Sequence, residues 1–275
     1  GGFIINGSDR AGGKNGIELS DSINNITIRN CTFADFNTGI DSAGNIVTNL
    51  TLDYNNYINN SARDINLGGG TSGVFISNSL FNSNVSGAFA AHILFTGNGV
   101  LVENNTFGNA TDSSSIGVAF STSDDVLVKG NTFDNENLGL IAASGANNVT
   151  FKDNRLTDLT AGGLVAISGS SNTVIANNTL LRIGNSTYAA IFVSAFGSNP
   201  VVNVTLSNNT INNSHGRTIS VMDSSGIIID TNTIIQKYPY LKTGNKFIYQ
   251  RLVYSDKINY VFEISSEKII SQKKI

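Results

Sequence analysis

Short bursts in which apolar and polar residues alternate recur along most of the chain. One such burst appears nine times: an apolar alternation, a polar pair, Thr or a similar residue, then a large apolar residue. The first copy is Ile26-Thr27-Ile28-Arg29-Asn30-Cys31-Thr32-Phe33, and later copies end at Tyr57, Phe81, Phe107, Phe133, Leu156, Leu180, Ile211 and Ile234. The spacings are 24, 24, 26, 26, 23, 24, 31 and 23 residues, a period that belongs to solenoids. A second short alternation opens each period, often after glycine, as in Gly16-Ile17-Glu18-Leu19, Gly139-Leu140-Ile141-Ala142 and Gly163-Leu164-Val165-Ala166. Alternation with period two marks strands. Three short strands per period, joined by small or polar corners, describe one coil, with adjacent coils ~4.8 Å apart.

One corner carries its own chemistry. At the position of Cys31, the later copies place Asn55, Ser79, Asn105, Asn131, Asn154, Asn178, Asn209 and Asn232. Asn tolerates the left-handed backbone of a tight bend, and stacked amides can hydrogen-bond from coil to coil as a ladder. That use accounts for the 39 asparagines of the chain without a ligand.

The Ile-x-Ile-x-x-Asn-Thr-Phe type of motif, as in Val100-Leu101-Val102-Glu103-Asn104-Asn105-Thr106-Phe107, resembles the parallel β-helix repeat family of the pectate-lyase-like superfamily. The resemblance spans roughly residues 14–234. It implies an all-β, right-handed parallel β-helix of about nine coils, and the crossover preference of parallel strands favours the same hand. Such a fold hosts polysaccharide lyases, glycoside hydrolases, uronan epimerases, phage tailspikes and surface adhesins, so the motif speaks for the fold and hardly for a reaction.

Beyond Gln236 the pattern stops. Residues 246–254 and 257–264 read as two strands around a Ser255-Asp256 turn. A solenoid needs its open end covered, so residues 1–235 are assigned to the β-helix and 236–275 to a basic, β-rich C-terminal cap or flap. Phe3-Ile4-Ile5-Asn6 caps the opposite end or continues a preceding coil. The opening Gly1-Gly2-Phe3-Ile4-Ile5 reads as that of a mature form or a fragment.

Composition narrows the classes. Charged residues make up 13% of the chain, hydrophobic residues 40%, with 28 Gly, 2 Pro and no Trp. No stretch is apolar enough for a membrane span, and the chain is not a charge-rich disordered one. Residues 1–234 hold 9 Lys/Arg against 17 Asp/Glu, whereas 235–275 hold 8 against 3. The acidic body excludes a nucleic-acid partner, which needs clustered cations, and the basic tail complements the body it follows. Cys31 is the single cysteine, so no intrachain disulfide forms and no zinc cluster is available.

If Ile17, Ile40, Ile65, Ile93, Val118, Leu140, Leu164, Ile191 and Ile219 point inward, the next residue of each coil points outward. That outward row runs Glu18, Asp41, Asn66, Leu94, Ala119, Ile141, Val165, Phe192, Ser220, and the row two residues further on includes Ala43, Ile167 and Met222. In related enzymes this sheet carries the substrate cleft. Its polar end offers Glu18 and Asp41 on successive coils, with Asp64 and His92 one position earlier and Asn66 beside them. Carboxylates ~5 Å apart can divide acid and nucleophile roles in glycoside hydrolysis, or hold calcium at Glu18 and Asp41; no cofactor is otherwise required. Glu18, Asp41, Asp64 and His92 are thus the candidate catalytic set. Asn66, Leu94, Ile141, Val165, Ile167, Phe192 and Met222 form a candidate substrate-binding or interface strip, because contiguous apolar surface marks a covered or contacting face. A one-residue slip would invert this assignment.

Other pieces read as structure. Asp124-Asp125 resembles the paired aspartates of polygalacturonases, but the Gly-His-Gly and Arg-x-Lys that should accompany them are missing. Ser214-His215-Gly216-Arg217 lies almost four coils away, too far for one active site. Glu103, Lys129 and Lys152 share one outward row as cross-coil ion pairs. Fourteen Asn-x-Ser/Thr sequons, including Asn104, Asn177 and Asn208, follow largely from the corner chemistry.

These readings combine into an extracellular or cell-surface β-helix protein, adhesin-like or structural and non-catalytic. It engages polysaccharide or other glycan, or forms a homo-oligomer, through its lateral sheets. The alternative is a lyase or glycoside hydrolase acting on an acidic polysaccharide at the polar end of the first sheet.

Overall fold

The computed structural model describes residues 2–7, 13–42, 44–87, 90–108, 115–184, 189–195, 199–215, 217–236, 245–248, 252–253, 260–265 and 268–274. It is all-β: a parallel solenoid of about nine coils whose strands sort into three sheets. Each coil contributes one strand to each sheet in the same order. The first sheet begins with Asn15–Glu18 and Thr38–Asp41, the second with Ile23–Arg29 and Val47–Asp53, and the third with Phe3–Asn6 and Cys31–Ala34. The register matches the sequence period, so that Ile17, Ile40, Ile65, Ile93, Val118, Leu140, Leu164, Ile191 and Ile219 are successive partners in the first sheet.

Three inward stacks fill the tube. The third sheet supplies Phe33, Tyr57, Phe81, Phe107 and Phe133, whose rings stack with centroids 5.3, 4.7, 4.5 and 4.5 Å apart. Leu156, Leu180, Ile211 and Ile234 continue the column as buried aliphatics. The second sheet adds Leu50, Val74, Val100, Val126, Val149 and Val204. Offset ring stacks at these distances add to the area term, and each fully buried side chain contributes about 1.5–3 kcal/mol.

The amide ladder forms as expected and runs the length of the body. Asn131 Oδ1 accepts the Asn105 N–H at 2.9 Å, Asn154 Oδ1 accepts the Asn131 N–H at 3.0 Å, and Asn178 Oδ1 accepts the Asn154 N–H at 3.0 Å. The same relation continues through Asn209 to Asn232 and, in the other direction, through Ser79 to Asn55 and Cys31. Each Nδ2 donates to a second-sheet carbonyl of the preceding coil, as Asn131 does to Val102 at 2.9 Å. One part of the sequence reading changes. The left-handed residue at this corner is not the ladder asparagine but the one before it: Asn30, Tyr54, Asn78, Asn104, Gly130, Asp153, Asn177 and Asn208. The bend turns the backbone, and the next side chain then points into the tube. Asparagine is therefore abundant for two separate reasons.

The C-terminal segment divides differently from the expected pair of strands. Asn245–Ile248 pairs antiparallel with Thr233–Gln236 in the third sheet, Leu252–Val253 with the second sheet at Ile228 and Ile229, and Tyr260–Ser265 with the first sheet at Ser220 and Val221. Tyr260–Ser265 also forms a hairpin with Lys268–Lys274. Every sheet thus ends on an antiparallel strand, which occupies the N–H and C=O groups the last coil would leave open. The expected Ser255-Asp256 turn lies outside the described residues.

Candidate functional site

Each first-sheet strand places two consecutive residues inward before alternation resumes. The first of the pair is Gly16, Gly39, Gly117, Gly139 or Gly163 in five coils. A Cβ at these positions would stand 2.6–2.7 Å from a carbonyl oxygen of the next coil and within 3.1 Å of a core ring or leucine. Asp64 and His92 occupy this same row. Both are fully buried, so their expected place on the outward polar face is corrected. Strict alternation from Ile65 and Ile93 points them out, but the corner adds one more inward residue, and the pairing skips it, passing from Ala91↔Ile116 directly to Ile93↔Val118.

Inside the tube they meet a third group that the sequence reading missed. His92 Nδ1 lies 2.5 Å from Asp64 Oδ2, and Nε2 lies 3.0 Å from Glu136 Oε1. Asp64 Oδ1 also accepts hydrogen bonds from Asn60 Nδ2 at 2.7 Å and Ser83 Oγ at 2.6 Å. The imidazole edge packs against Phe81 and Phe107 at 6.0 and 5.8 Å. Burial alone would depress the His92 pKa; Glu136 and Asp64 outweigh it and lift the value to about 10. Burial, and then Asp64, push the Tyr57 phenol well above its usual range. The backbone shows why Glu136 turns inward. This residue directly follows the left-handed Asn135, as Phe36, Leu159 and Ile183 follow Asp35, Asp158 and Arg182, and those three are core residues. A glutamate in that row marks a buried charge needing a partner.

The outward face of the first sheet keeps its expected register: Glu18↔Asp41, Asp41↔Asn66 and Asn66↔Leu94 are direct partners. Glu18 is exposed, Asp41 and Asn66 half-buried. Both Asp41 oxygens accept amide protons, Oδ2 from Asn15 Nδ2 at 3.0 Å and Oδ1 from Asn66 Nδ2 at 2.9 Å. Arg63, not anticipated from the sequence, stands in the adjacent outward row. Burial lowers its guanidinium pKa while Asp41 opposes the drop. The polar end is therefore a mixed cluster of amides, two carboxylates and one guanidinium. Asp41 is engaged by amides, and among the described residues no group of three or more His, Cys, Asp or Glu side chains is arranged to hold a metal ion.

Further along, the apolar strip is not an open surface. Ile141, Val165 and Phe192 retain 9%, 3% and 4% of their exposure, and with Leu94, Ile167 and Met222 packed against them they form a second cluster outside the tube. Ala43 of the neighbouring row lies outside the described residues. Asp124 and Asp125 are the exposed first residues of the second-sheet strand Asp124–Lys129, and Asp125 Oδ1 accepts from Asn148 Nδ2 at 2.6 Å. Lys129 and Glu103 form the expected cross-coil pair at 2.7 Å.

Three parallel sheets wound about a single core, pinned by an internal amide ladder, define the right-handed β-helix class of solenoids. The chain belongs to that family: the family model described as "Right handed beta helix region" matches residues 15–180. Among solved structures it is similar to PfbA, a surface adhesin of Streptococcus pneumoniae, at 17% identity and a TM-score of 0.58, covering 94% of this chain and 69% of that one. It is also similar to a hyperthermoactive exopolygalacturonase from Thermotoga maritima, at 11% identity and a TM-score of 0.53, covering 80% of this chain and 57% of that one. Comparison with curated protein sequences finds no significant match. Among the described residues, no helix is long and apolar enough to cross a membrane.

Proposed function

We propose that this protein is a non-catalytic, adhesin-like β-helix displayed outside the cell or on its surface, where it binds polysaccharide along its lateral sheets. One observation carries the reading. The histidine–carboxylate constellation that would suit acid–base chemistry is Asp64–His92–Glu136, and it is sealed inside the tube where no polymer reaches. What the polar end of the first sheet presents instead is a hydrogen-bonded set, Asn15, Asp41 and Asn66, with Glu18 and Arg63 beside it. Such a set binds hydroxyls by geometry. The adhesin PfbA shares the architecture, which supports the reading at the level of fold. Self-association through the apolar strip would first require uncovering Ile141, Val165 and Phe192.

Incubation with a panel of uronans and neutral glycans tests this. Retention of polymer without new reducing ends or unsaturated products is the expected result, and Asp41→Ala with Asn66→Ala weakens retention. Appearance of cleavage products would replace this reading with the second one, a glycoside hydrolase. That alternative is favoured by the direct pairing of Glu18 with Asp41 on adjacent coils, the arrangement two-carboxylate hydrolysis uses. In that case Asp41→Ala abolishes turnover while the fold persists.

A further inference from the structure

Each coil turns from the second sheet into the third through one residue of positive φ. Down the axis this row reads Asn30, Tyr54, Asn78, Asn104, Gly130, Asp153, Asn177, Asn208 and Thr231. Through Asn208, each N–H donates to a carbonyl of the next coil, so these residues stack in register. Asn, Asp and Gly enter the left-handed region cheaply; a bulky aromatic residue there is an outlier and costs stability. Tyr54 takes that conformation at φ 53°. It recovers nothing from the core, since the residue is 60% exposed. Strain that packing does not repay points to a function.

The surroundings say which. Asn30 and Asn78, both exposed, sit one coil to either side of Tyr54, ~4.8 Å away along the axis. The Asn78 amide is held in orientation, its Nδ2 donating to Asp53 Oδ1 at 2.9 Å, and the same oxygen accepts from Ser77 Oγ at 2.6 Å. Leu80, which opens the third-sheet strand just after this corner one coil on, is 42% exposed and pairs with Asn56. The nearest charges, Arg29 and Asp53, are cross-strand partners of opposite sign. The corner thus joins an aromatic face, a small apolar neighbour, neutral amides and no net charge. A pyranose with equatorial substituents offers the complement, an apolar C–H face rimmed by hydroxyls. We propose that Tyr54 is a stacking subsite for a neutral β-linked hexose unit of a polysaccharide, with the Asn30 and Asn78 amides meeting its hydroxyls. This rests on the glycan-binding reading above but lies on a different face from Asp41 and Asn66.

The test compares the intact chain with Tyr54→Asn, the residue most common in its own row, and with Asp41→Ala. Binding of cellohexaose and chitohexaose is followed by titration calorimetry and saturation-transfer NMR, and Tm by thermal unfolding. Tyr54→Asn should weaken binding roughly three- to tenfold while raising Tm by roughly 1–3 °C as the strain is relieved. Tyr54→Phe should keep most of the binding. Unchanged affinity in Tyr54→Asn overturns the proposal, as does a lowered Tm, which would mark the ring as structural. Failure of both oligosaccharides to bind the intact chain overturns it too. Binding that is lost in Asp41→Ala but not in Tyr54→Asn sinks the subsite while leaving the glycan-binding function standing.

Discussion

At the scale of single residues, stability concentrates where polar groups are buried. Asn131 satisfies the Asn105 N–H and the Val102 carbonyl in one stroke. Asn131→Ala should therefore cost about 1–3 kcal/mol, read as a fall in Tm of several degrees. His92 carries a heavier consequence, for it stands between two buried carboxylates. Removing the cation leaves both buried carboxylates without their countercharge, and His92→Leu should destabilise by about 3–5 kcal/mol. Its pH dependence has a definite sign. A histidine whose folded pKa is raised to about 10 binds its proton more tightly in the folded state. Its contribution is complete below the ordinary histidine pKa of ~6.5 and fades as pH climbs through about 10. Urea unfolding at pH 6, 8 and 10 should show this decline in the intact protein and lose it in His92→Leu.

Elements are set by corners more than by strand propensity. Where the inward row of the first sheet holds glycine, the next coil leaves no room for a side chain: at Gly139 a Cβ would lie 2.6 Å from both the Gly163 carbonyl oxygen and a Leu156 methyl. Gly139→Val should prevent that coil from closing, and circular dichroism should show loss of native β signal or recovery only as aggregate. The aromatic column of the third sheet predicts a different response. Phe107 stacks between Phe81 and Phe133 at 4.5 Å on each side, and Phe107→Leu keeps the volume class while losing the ring contacts. A cost of about 1–2 kcal/mol is expected, with the fold retained.

For the whole molecule, the open end of the solenoid is the main vulnerability. All three sheets finish on antiparallel strands drawn from residues after 244. A chain ending at Gln236 should expose three sheet edges and associate through them, detectable by light scattering as growth in mass with concentration, whereas the full chain should not grow in this way. The sealed tube also governs function. Because the interior is packed along its length, any ligand must be read on the lateral faces or along the corner rows, which is why the binding variants proposed here all lie there.

The repeat, the three-strand coil, the inward aliphatic row and the amide ladder were legible from spacing alone, because a solenoid makes neighbours in space out of residues one period apart. Glu18, Asp41 and Asn66 were placed correctly for the same reason. Periodicity could not reveal the corner that turns two successive side chains inward, and so Asp64 and His92 looked like surface groups. Glu136, two coils beyond His92, joined them only once the corner rows were aligned in three dimensions. Likewise the apolar strip was visible as a pattern, but its burial was not, since alternation assigns a side chain to a face and says nothing of its exposure there. Local alternation is written in the order of residues. Whether a side chain meets water or the core is decided by how the backbone bends between strands.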